Sequence, residues 1–391
     1  MKYYLIAGEA SGDLHGSNLI DALKKEDPQA SFRFLGGDRM AKAAGQTPVV
    51  HYREMAYMGF RSVIAHAPAL LNILKRCKKD IISWQPDVLI LIDYASFNLR
   101  IAAWVKKHSA ALPIHFYISP KIWAWKSWRI KSFKRYIDSL YIIFPFEKAF
   151  FDRHRYPVTY VGNPTVDSVA AFRAEWNCCT DAASVWLSLH GFAADRPILA
   201  LLPGSRRQEI QGNLPLMIEA AKPWQEQFQV IVSGAPGVPA DFYEPIFAAK
   251  ACTFPIVFGE TYPLLSVAHT ALVVSGTATL ETALFKVPQV VCYQMPYNRT
   301  FTRFLRRFII RTPFISLVNL VAGEEVVKEL VSWEYTWENL TAELQRLVGP
   351  STPGRAAVLA GYDRIETLLG EPGAAAHTAR CIVSSLSRPL R

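Results

Sequence analysis

Residues 3–13 read Tyr3-Tyr4-Leu5-Ile6-Ala7-Gly8-Glu9-Ala10-Ser11-Gly12-Asp13, an apolar run followed by a loop that contains two glycines. The apolar run predicts a buried strand, the loop predicts a tight turn, and residues 13–25 predict an amphipathic helix. A strand, a turn and a helix in this order are typical of the first unit of a doubly wound α/β domain.

The same alternation of strands and helices recurs along the chain. In the first half, further strands are predicted at residues 31–35, 88–92, 114–118, 140–144 and 158–161. Residues 88–92 are continuously apolar, as expected of a strand buried on both faces of a parallel sheet. In the second half, strands are predicted at residues 198–202, 229–233, 271–275 and 289–293. The chain is therefore predicted to be an α/β protein with two doubly wound, Rossmann-like domains.

The two series of strands also predict the domain limits. The first domain should cover residues 1–170 and the second residues 190–370, with a linker around residues 172–195. From Thr336 onward the sequence predicts helices only, and a last helix is expected at residues 371–391. Two such domains that face each other would leave a cleft, lined by the carboxyl ends of both sheets, where open α/β folds bind ligands.

Charge and cysteine content narrow the class of protein. The 391 residues carry a formal net charge of +10, which favours an anionic partner: nucleic acid, anionic lipid or a phosphorylated sugar. The six cysteines form no C-x-x-C pair, so neither a zinc knuckle nor a redox motif is indicated, and a reducing cytoplasm is expected. We find no signal peptide and no apolar run of the ~18 residues that a spanning helix requires. A soluble or peripheral protein is therefore expected.

Two candidate sites belong to the first predicted domain. Asp93 stands at the carboxyl end of the apolar strand, where it could take a proton from an acceptor hydroxyl. The alternative is a structural carboxylate that caps the next turn, and its position favours the functional role. The glycine-containing loop allows the backbone to approach an anion or a sugar hydroxyl closely. Its spacing favours a simpler alternative, an ordinary turn in which Asp13 caps the following helix.

Two further candidate sites belong to the second predicted domain. Pro203-Gly204-Ser205-Arg206-Arg207 follows a buried strand, and its amides, hydroxyl and guanidinium groups suit a diphosphate. A solvated basic turn is the less favoured alternative. Ser275-Gly276-Thr277-Ala278-Thr279-Leu280-Glu281 places small residues at a helix start, which suits a phosphate, while the glutamate suits ribose hydroxyls. For Glu281 a favourable interaction with the helix dipole is an equal alternative.

Aromatic and basic residues form a fifth feature. Trp123, Trp125 and Trp128 alternate with cations, a pattern that suits RNA, acyl chains or lipid head groups. Residues 60–79 and 301–314 are amphipathic and basic, which suits an anionic membrane surface, with core packing as the alternative. The histidines form no H-E-x-x-H cluster, and neither a G-x-S-x-G elbow nor a Walker A loop occurs.

In their order along the chain, these motifs resemble the signatures of the lipid-A-disaccharide synthase family. The matching blocks are Ala7–Asp13, Ile92-Asp93 with Phe97-Asn98-Leu99, Ser119-Pro120 with Trp123-Ala124-Trp125, Leu202–Arg207, Ser275–Glu281, and Ser316-Leu317 with Asn319-Leu320. Any one block is weak evidence, whereas the ordered set is specific. The resemblance implies the GT-B fold of glycosyltransferases, whose outline also fits sugar-nucleotide epimerases and some binding proteins.

The resemblance implies a reaction and a set of residues for it. A 2,3-diacylglucosamine is transferred from UDP to the 6-hydroxyl of 2,3-diacylglucosamine 1-phosphate, with inversion, to give a β-1,6-linked lipid A disaccharide phosphate and UDP. By this resemblance, Asp93 would be the general base. The substrate-binding residues would be Gly8, Glu9, Ser11, Gly12, Ser119, Trp123 and Trp125. The UDP-binding residues would be Gly204, Ser205, Arg206, Ser275, Gly276, Thr277, Ala278, Thr279, Glu281 and Asn319.

The resemblance also implies the setting of the reaction. No cofactor and no metal are expected, and no nucleic acid is an expected partner. The location is cytoplasmic and peripheral to the inner membrane. The last helix returns to the first domain or is exchanged between the subunits of a homodimer.

Departures from the family pattern leave some roles unassigned. The family often has a proline where Asp38 stands, a histidine where Asn163 stands and an arginine where Gln294 stands. Two alternative functions also stay open. One is another UDP-sugar enzyme such as a UDP-GlcNAc epimerase, and the other is a non-catalytic peripheral protein that binds lipid or RNA.

Overall fold

The computed structural model describes residues 1–55, 67–124, 126–294 and 313–387. The chain forms two compact units, one of residues Met1–Pro164 with Glu371–Arg391 and one of residues Thr165–Gly370. Within the described ranges, no helix combines the length and the apolar composition that are needed to cross a bilayer.

The first unit is built on a parallel sheet, whose order in the described part of the chain is β3-β2-β1-β4-β5-β6-β7. Its strands are β1 (Lys2–Ala7), β2 (Ser31–Gly36), β3 (Val50–His51), β4 (Val88–Ile92), β5 (Ile114–Tyr117), β6 (Ser139–Ile142) and β7 (Thr159–Tyr160). Its first helices are α1 (Ala10–Glu26), α2 (Asp38–Ala44), α3 (Tyr52–Met55), α4 (Ala67–Trp84), α5 (Ala95–His108), α6 (Ile130–Tyr136) and α7 (Glu147–Arg153). The predicted strands are found, with ends that differ by one or two residues.

Alternate side chains of the central strand β1 pack into two separate cores. Tyr4 and Ile6 belong to one core, and Tyr3 and Leu5 belong to the other. The split follows from the period-two geometry of a strand, because successive side chains point to opposite faces of the sheet. Helices therefore cover both faces, as the continuous apolar run predicts.

The second unit repeats this plan with the strand order β10-β9-β8-β11-β12-β13 among its described residues. Its strands are β8 (Ile198–Leu202), β9 (Gln229–Gly234), β10 (Ile256–Phe258), β11 (Ala268–Val274), β12 (Gln289–Tyr293) and β13 (Glu329–Val331). Its helices are α8 (Pro164–Cys178), α9 (Ala182–Leu189), α10 (Arg207–Ala221), α11 (Glu244–Ala249), α12 (Thr261–Val267), α13 (Thr277–Leu284), α14 (Leu317–Ala322), α15 (Trp337–Val348) and α16 (Pro353–Leu369). Three short 3-10 helices complete the described part of the chain: Ser127–Arg129, Lys222–Trp224 and Ala240–Phe242.

The stretch in which a linker is predicted is largely helical. It contains the last seven residues of α8, 172–178, and all of α9. Trp186 on α9 is buried in the same core as Ile198 and Leu202 of β8. This apolar contact ties the stretch to the second unit, and spacing alone does not reveal it.

The last helix, α17 (Ala374–Leu386), packs on the first unit. Ala379 and Ile382 are buried in one core with Leu19, Ile20 and Leu23 of α1. These contacts give α17 a buried apolar face although nearly the whole second unit precedes it in the chain.

The first helix begins at Ala10, three residues before the predicted start. The amide of Asp13 already donates to the carbonyl oxygen of Glu9 at 2.9 Å, so the turn after β1 is shorter than expected. Gly12 permits this arrangement, because a Cβ atom there would lie 3.2 Å from the Cβ of Ala7. The loop glycine is thus a packing residue inside the helix.

Asp13 does not cap its own helix, contrary to the alternative raised by its position. Its carboxylate is buried and accepts the amides of Gly37 at 2.7 Å, Arg39 at 3.1 Å and Met40 at 3.1 Å. These amides belong to the start of α2. A negative charge at a helix amino terminus is favourable, so Asp13 fixes α2 against α1.

Asp13→Ala should therefore destabilise the first unit. We expect its free energy of unfolding to fall by about 2 kcal/mol, because three amides, two of them buried, lose a charged acceptor. Hydrogen exchange measured by mass spectrometry should become faster at residues 37–40. The matched control is Asp21→Ala, an exposed position on the same helix, which should change the free energy by less than about 0.5 kcal/mol. Unchanged exchange at residues 37–40 would show that Asp13 does not stabilise α2.

Candidate functional site

The first candidate site is the turn that follows β4. Asp93 and Tyr94 both adopt the left-handed backbone conformation, with φ of 45° and 43°. This conformation is uncommon for residues other than glycine, and such strain concentrates at functional sites. The buried Asn98 side chain holds the turn, because its Nδ2 donates to the carbonyl oxygens of Ile92 at 3.2 Å and Asp93 at 2.7 Å.

The surroundings of Asp93 tune its acidity. Burial, followed by the nearby negative charge of Glu9, raises the pKa of the Asp93 carboxyl to about 6. The Tyr94 amide and the positive charge of Lys121 act in the opposite direction. A carboxylate with a pKa near the working pH is suited to accept a proton from a hydroxyl group.

The glycine-containing loop lies beside this turn. A Cβ atom on Gly8 would come within 2.2 Å of the Tyr94 ring, so the ring requires a glycine there. Glu9 and Ser11 are exposed, and the Ser11 hydroxyl donates to Glu9 Oε1 at 2.8 Å. The structure thus brings Gly8 and Glu9 together with Asp93, as the carboxyl ends of adjacent parallel strands should be.

Ser119 and Trp123 both interact with Glu147, a residue that the sequence motifs do not include. The buried carboxyl of Glu147 accepts the Trp123 indole N–H at 3.1 Å, and hydrogen bonding with Ser119 acts on its pKa. Its Oε2 also accepts the amides of Ile143 at 3.3 Å and Phe144 at 3.1 Å, directly after β6. Burial is the largest effect and raises the pKa of Glu147 to about 8.

The polar end of Trp123 is therefore directed to the protein interior. This arrangement makes the indole a brace for the loop after β5. Trp125 lies outside the described residues. The signal that could have found Glu147 is an acidic residue at the start of a helix just after a buried strand.

In the second unit, backbone amides of the turn after β8 donate to the carboxylate of Glu209. Glu209 Oε2 accepts the amides of Ser205 at 3.0 Å and Arg206 at 3.3 Å, while Arg206 Nη1 donates to Oε1 at 2.8 Å. Gly204 has φ of 111°, and a Cβ atom on it would lie 2.7 Å from the Glu209 Cβ. The amides of this turn are thus engaged by Glu209, whereas the Arg206 side chain is 80% exposed.

The small residues that follow β11 divide into two groups. Gly276 and Thr277 border open space or solvent, as a ligand-binding turn requires. Thr279 is fully buried, and its hydroxyl donates to the carbonyl oxygen of Gly276 at 2.8 Å. The hydroxyl of Ser275 donates to the carbonyl oxygen of Ile315 at 3.1 Å. Ala278, on the first turn of α13, is partly exposed.

Glu281 has a fixed orientation on α13. The hydroxyl of Tyr262 donates to its Oε1 at 2.9 Å, and burial raises the pKa of the Glu281 carboxyl above its ordinary value. Tyr262 in turn packs edge-on against Phe172 of α8, with ring centroids 5.5 Å apart. Tyr262 is another residue that the motif search missed.

Asn319 is completely buried, and its side-chain amide is saturated. Nδ2 donates to the Val327 carbonyl oxygen at 2.8 Å and to Glu329 Oε1 at 2.9 Å. Oδ1 accepts the amides of Val326 at 2.9 Å and Val327 at 3.0 Å. The same Glu329 carboxylate accepts the Ser316 amide and hydroxyl, at 2.9 and 2.7 Å. Asn319 thus braces this loop.

The positions that depart from the family pattern have structural partners. The side chain of Asn163 is buried and donates to the carbonyl oxygen of Ile143 at 2.9 Å. The backbone amide of Gln294 donates to Asn213 Oδ1 at 2.9 Å. Asp38 lies 3.2 Å from the Arg53 guanidinium on the surface.

Comparison with known proteins decides the family. The sequence profile described as lipid-A-disaccharide synthetase matches residues 3–358. The chain belongs to this family. A lipid-A-disaccharide synthase from Myxococcus xanthus (strain DK1622) is 36% identical over 388 residues, covering 98% of this chain and 97% of that protein. Another from Geobacter metallireducens is 35% identical over 390 residues, covering 99% and 98%. The chain is a glycosyltransferase of lipid A biosynthesis.

Solved structures support the fold that the family implies. The glycosyltransferase SnogD from Streptomyces nogalater is similar with a TM-score of 0.51 and 16% identity, covering 99% of both chains. UDP-GlcNAc 2-epimerase from Neisseria meningitidis, bound to UDP-GlcNAc, is similar with a TM-score of 0.64 and 14% identity, also covering 99% of both. At this identity the likeness concerns the fold alone, which is GT-B as predicted.

The acidity of Asp93 can be measured directly. In a carbon-13 NMR titration of aspartate carboxyl groups, with the signal assigned by Asp93→Asn, we expect a midpoint at about pH 6. Glu9→Gln should lower that midpoint, because it removes a negative charge that disfavours deprotonation of Asp93. Glu26→Gln, exposed at the far end of α1, is the matched control and should leave the midpoint unchanged. If the midpoint is unaltered in Glu9→Gln, the charge of Glu9 does not affect the pKa of Asp93.

Proposed function

We propose that the chain transfers 2,3-diacylglucosamine from UDP to the 6-hydroxyl of 2,3-diacylglucosamine 1-phosphate. The products are a β-1,6-linked disaccharide phosphate and UDP. The observation that carries the proposal is Asp93, a strained carboxylate after β4 with a raised pKa in a chain of this family. The hydrogen bond from Asn98 to the Asp93 carbonyl oxygen holds the strained turn, so the Asp93 carboxylate is in place before substrate binds.

The reaction is a single displacement with inversion. Asp93 accepts the proton of the acceptor hydroxyl as its oxygen attacks the anomeric carbon. The bond from that carbon to the diphosphate oxygen breaks, and its electron pair leaves with UDP. Because Asp93 must be ionised to accept the proton, turnover should be retained above a pH of about 6 and lost as the pH falls through that value.

The second unit supplies the residues proposed for UDP. The exposed guanidinium of Arg206 is suited to neutralise the charge that develops on the diphosphate. Gly276 and Thr277 border the open start of α13, and Glu281 is oriented towards ribose hydroxyls by Tyr262. Thr279 and Asn319 have their polar groups engaged within the protein, so we assign them positioning roles.

A location at the surface of the inner membrane is part of the proposal. Leu71, Lys75, Lys79 and Ile82 are exposed and lie along one face of α4, which buries other apolar residues against the sheet. A helix with such a mixed apolar and basic face suits an anionic bilayer surface. The segments at residues 60–66 and 301–312, in which the same pattern is predicted, lie outside the described residues.

One assay tests the reaction against its alternatives. UDP release should require both the diacylated UDP donor and the diacylated acceptor phosphate, and EDTA should not prevent it. Conversion of UDP-GlcNAc without a lipid acceptor would instead support an epimerase. This alternative is included because UDP-GlcNAc 2-epimerase has a similar fold. Vesicle or RNA binding without any UDP release would support a non-catalytic binder.

Asp93→Asn should abolish most of the turnover. The amide cannot accept the proton, and positioned base catalysis is typically worth about 10²–10⁴ in rate. Binding of UDP, measured by calorimetry, should stay unchanged. Asp87→Asn is the matched control, because Asp87 immediately precedes β4 at the opposite end of the strand. Turnover of Asp93→Asn within a few-fold of the wild-type value would remove Asp93 from the mechanism.

Tyr262→Phe should weaken the binding of UDP through the ribose. Without the hydroxyl, the Glu281 carboxylate loses the hydrogen bond that fixes it, and the UDP dissociation constant should rise roughly fivefold. Binding of 2′,3′-dideoxy-UDP, which lacks both hydroxyls, should change by less than about twofold. Equal weakening of both ligands would mean that Tyr262 acts on the fold and not on ribose recognition.

A further inference from the structure

Arg129 is a cation to which the proposed mechanism assigns no role. It ends the 3-10 helix Ser127–Arg129, directly before α6, and its guanidinium lies 5.7 Å from the centre of the Trp128 ring. Its Nη2 donates to the hydroxyl of Ser96 at 2.8 Å. The side chain is partly buried, and burial lowers the pKa of the guanidinium.

This partly buried charge has no carboxylate partner among the residues that the structure describes. Among the described residues, no Asp or Glu oxygen lies within 4.0 Å of the Arg129 nitrogens, although sixteen such ion pairs occur elsewhere. The residues outside the described ranges include neither Asp nor Glu. Partial burial of an unpaired cation costs free energy, and an anionic ligand would offset that cost.

The tether to Ser96 fixes where this charge lies. Ser96 is exposed in the first turn of α5, three residues after Asp93. The guanidinium is therefore held at the same edge of the sheet as the proposed base. One N–H of Arg129 is used by Ser96, which leaves the remaining donors of the planar fork for a ligand.

We propose that Arg129 binds the phosphate of the acceptor sugar. This inference rests on the proposed function, in which Asp93 contacts the 6-hydroxyl. The 1-phosphate and the 6-hydroxymethyl group are carried by carbons on either side of the ring oxygen of one pyranose, so a residue that binds the phosphate should lie close to the base, as Arg129 does through its hydrogen bond to Ser96. A guanidinium matches a phosphate monoester with two parallel hydrogen bonds and keeps its charge at any working pH. Arg129 is thus a specificity-determining residue for the phosphorylated acceptor.

The test compares two acceptors that differ only in the phosphate. For Arg129→Gln, kcat/KM with diacylglucosamine 1-phosphate should fall about 10- to 100-fold, because a charge-assisted pair of hydrogen bonds is lost. With diacylglucosamine that lacks the phosphate, kcat/KM should stay within about twofold of the wild-type value. Arg129→Lys should give an intermediate loss, since it keeps the charge without the fork. If the unphosphorylated acceptor gives no turnover, inhibition by glucosamine 1-phosphate and by glucosamine provides the same comparison.

The matched control is Arg135→Gln, which removes the same charge from an exposed arginine that also lies over an aromatic ring, Tyr136. It should leave the preference for the phosphorylated acceptor unchanged. Equal losses with both acceptors in Arg129→Gln, or a rise in the KM of the UDP donor alone, would overturn the assignment. So would a loss of phosphate preference in Lys121→Gln but not in Arg129→Gln. A wild-type protein that releases no UDP with either acceptor would instead overturn the proposed function.

Discussion

Both sheets of the protein are wholly parallel in their described strands, and this constraint organises the rest of the structure. Parallel pairing brings the carboxyl ends of neighbouring strands to one edge, and the crossover helices must begin there. Loops that are distant in sequence, such as those after β1 and β4, therefore lie next to each other because their strands are paired. The proposed base lies in one of these loops, and the residues proposed for the nucleotide lie in the corresponding loops of the second unit.

Carboxylates that accept backbone amides give these loops their shape. Asp13, Glu147, Glu209 and Glu329 each accept backbone amides from a turn or helix start. A negative charge that receives several N–H donors can be buried at tolerable cost, whereas removing it would leave all of its donors unpaired. The acidic residues near the sites are thus mostly structural, and Asp93 stands apart because its carboxyl, whose pKa is raised to about 6, lies in a strained turn.

Most of the strands could be predicted from the sequence, because apolar runs and glycine-containing turns reflect local conformational preferences. The strands β3, β10 and β13, of two or three residues each, were not predicted. The start of α1 was misplaced because a glycine inside a helix is read as a turn unless its packing against Ala7 is known. The directions of the Trp123 and Asn319 side chains were not predictable, since their partners Glu147 and Glu329 come next to them only in the folded chain. Glu147 and Tyr262 escaped the motif search for the same reason, because their roles depend on the groups that they contact.

The placement of α17 on α1 has a consequence for how the chain is made. The ribosome releases residues 1–164 of the first unit early, but the helix that covers Leu19, Ile20 and Leu23 is synthesised only after the second unit. At the usual rate of translation, the intervening residues 165–370 take about 10–40 s to appear. During that interval the nascent chain displays an uncovered apolar stripe. Completion of the first unit is therefore a late event that depends on residues 374–386, so a chain that stops before them would leave the first unit incomplete.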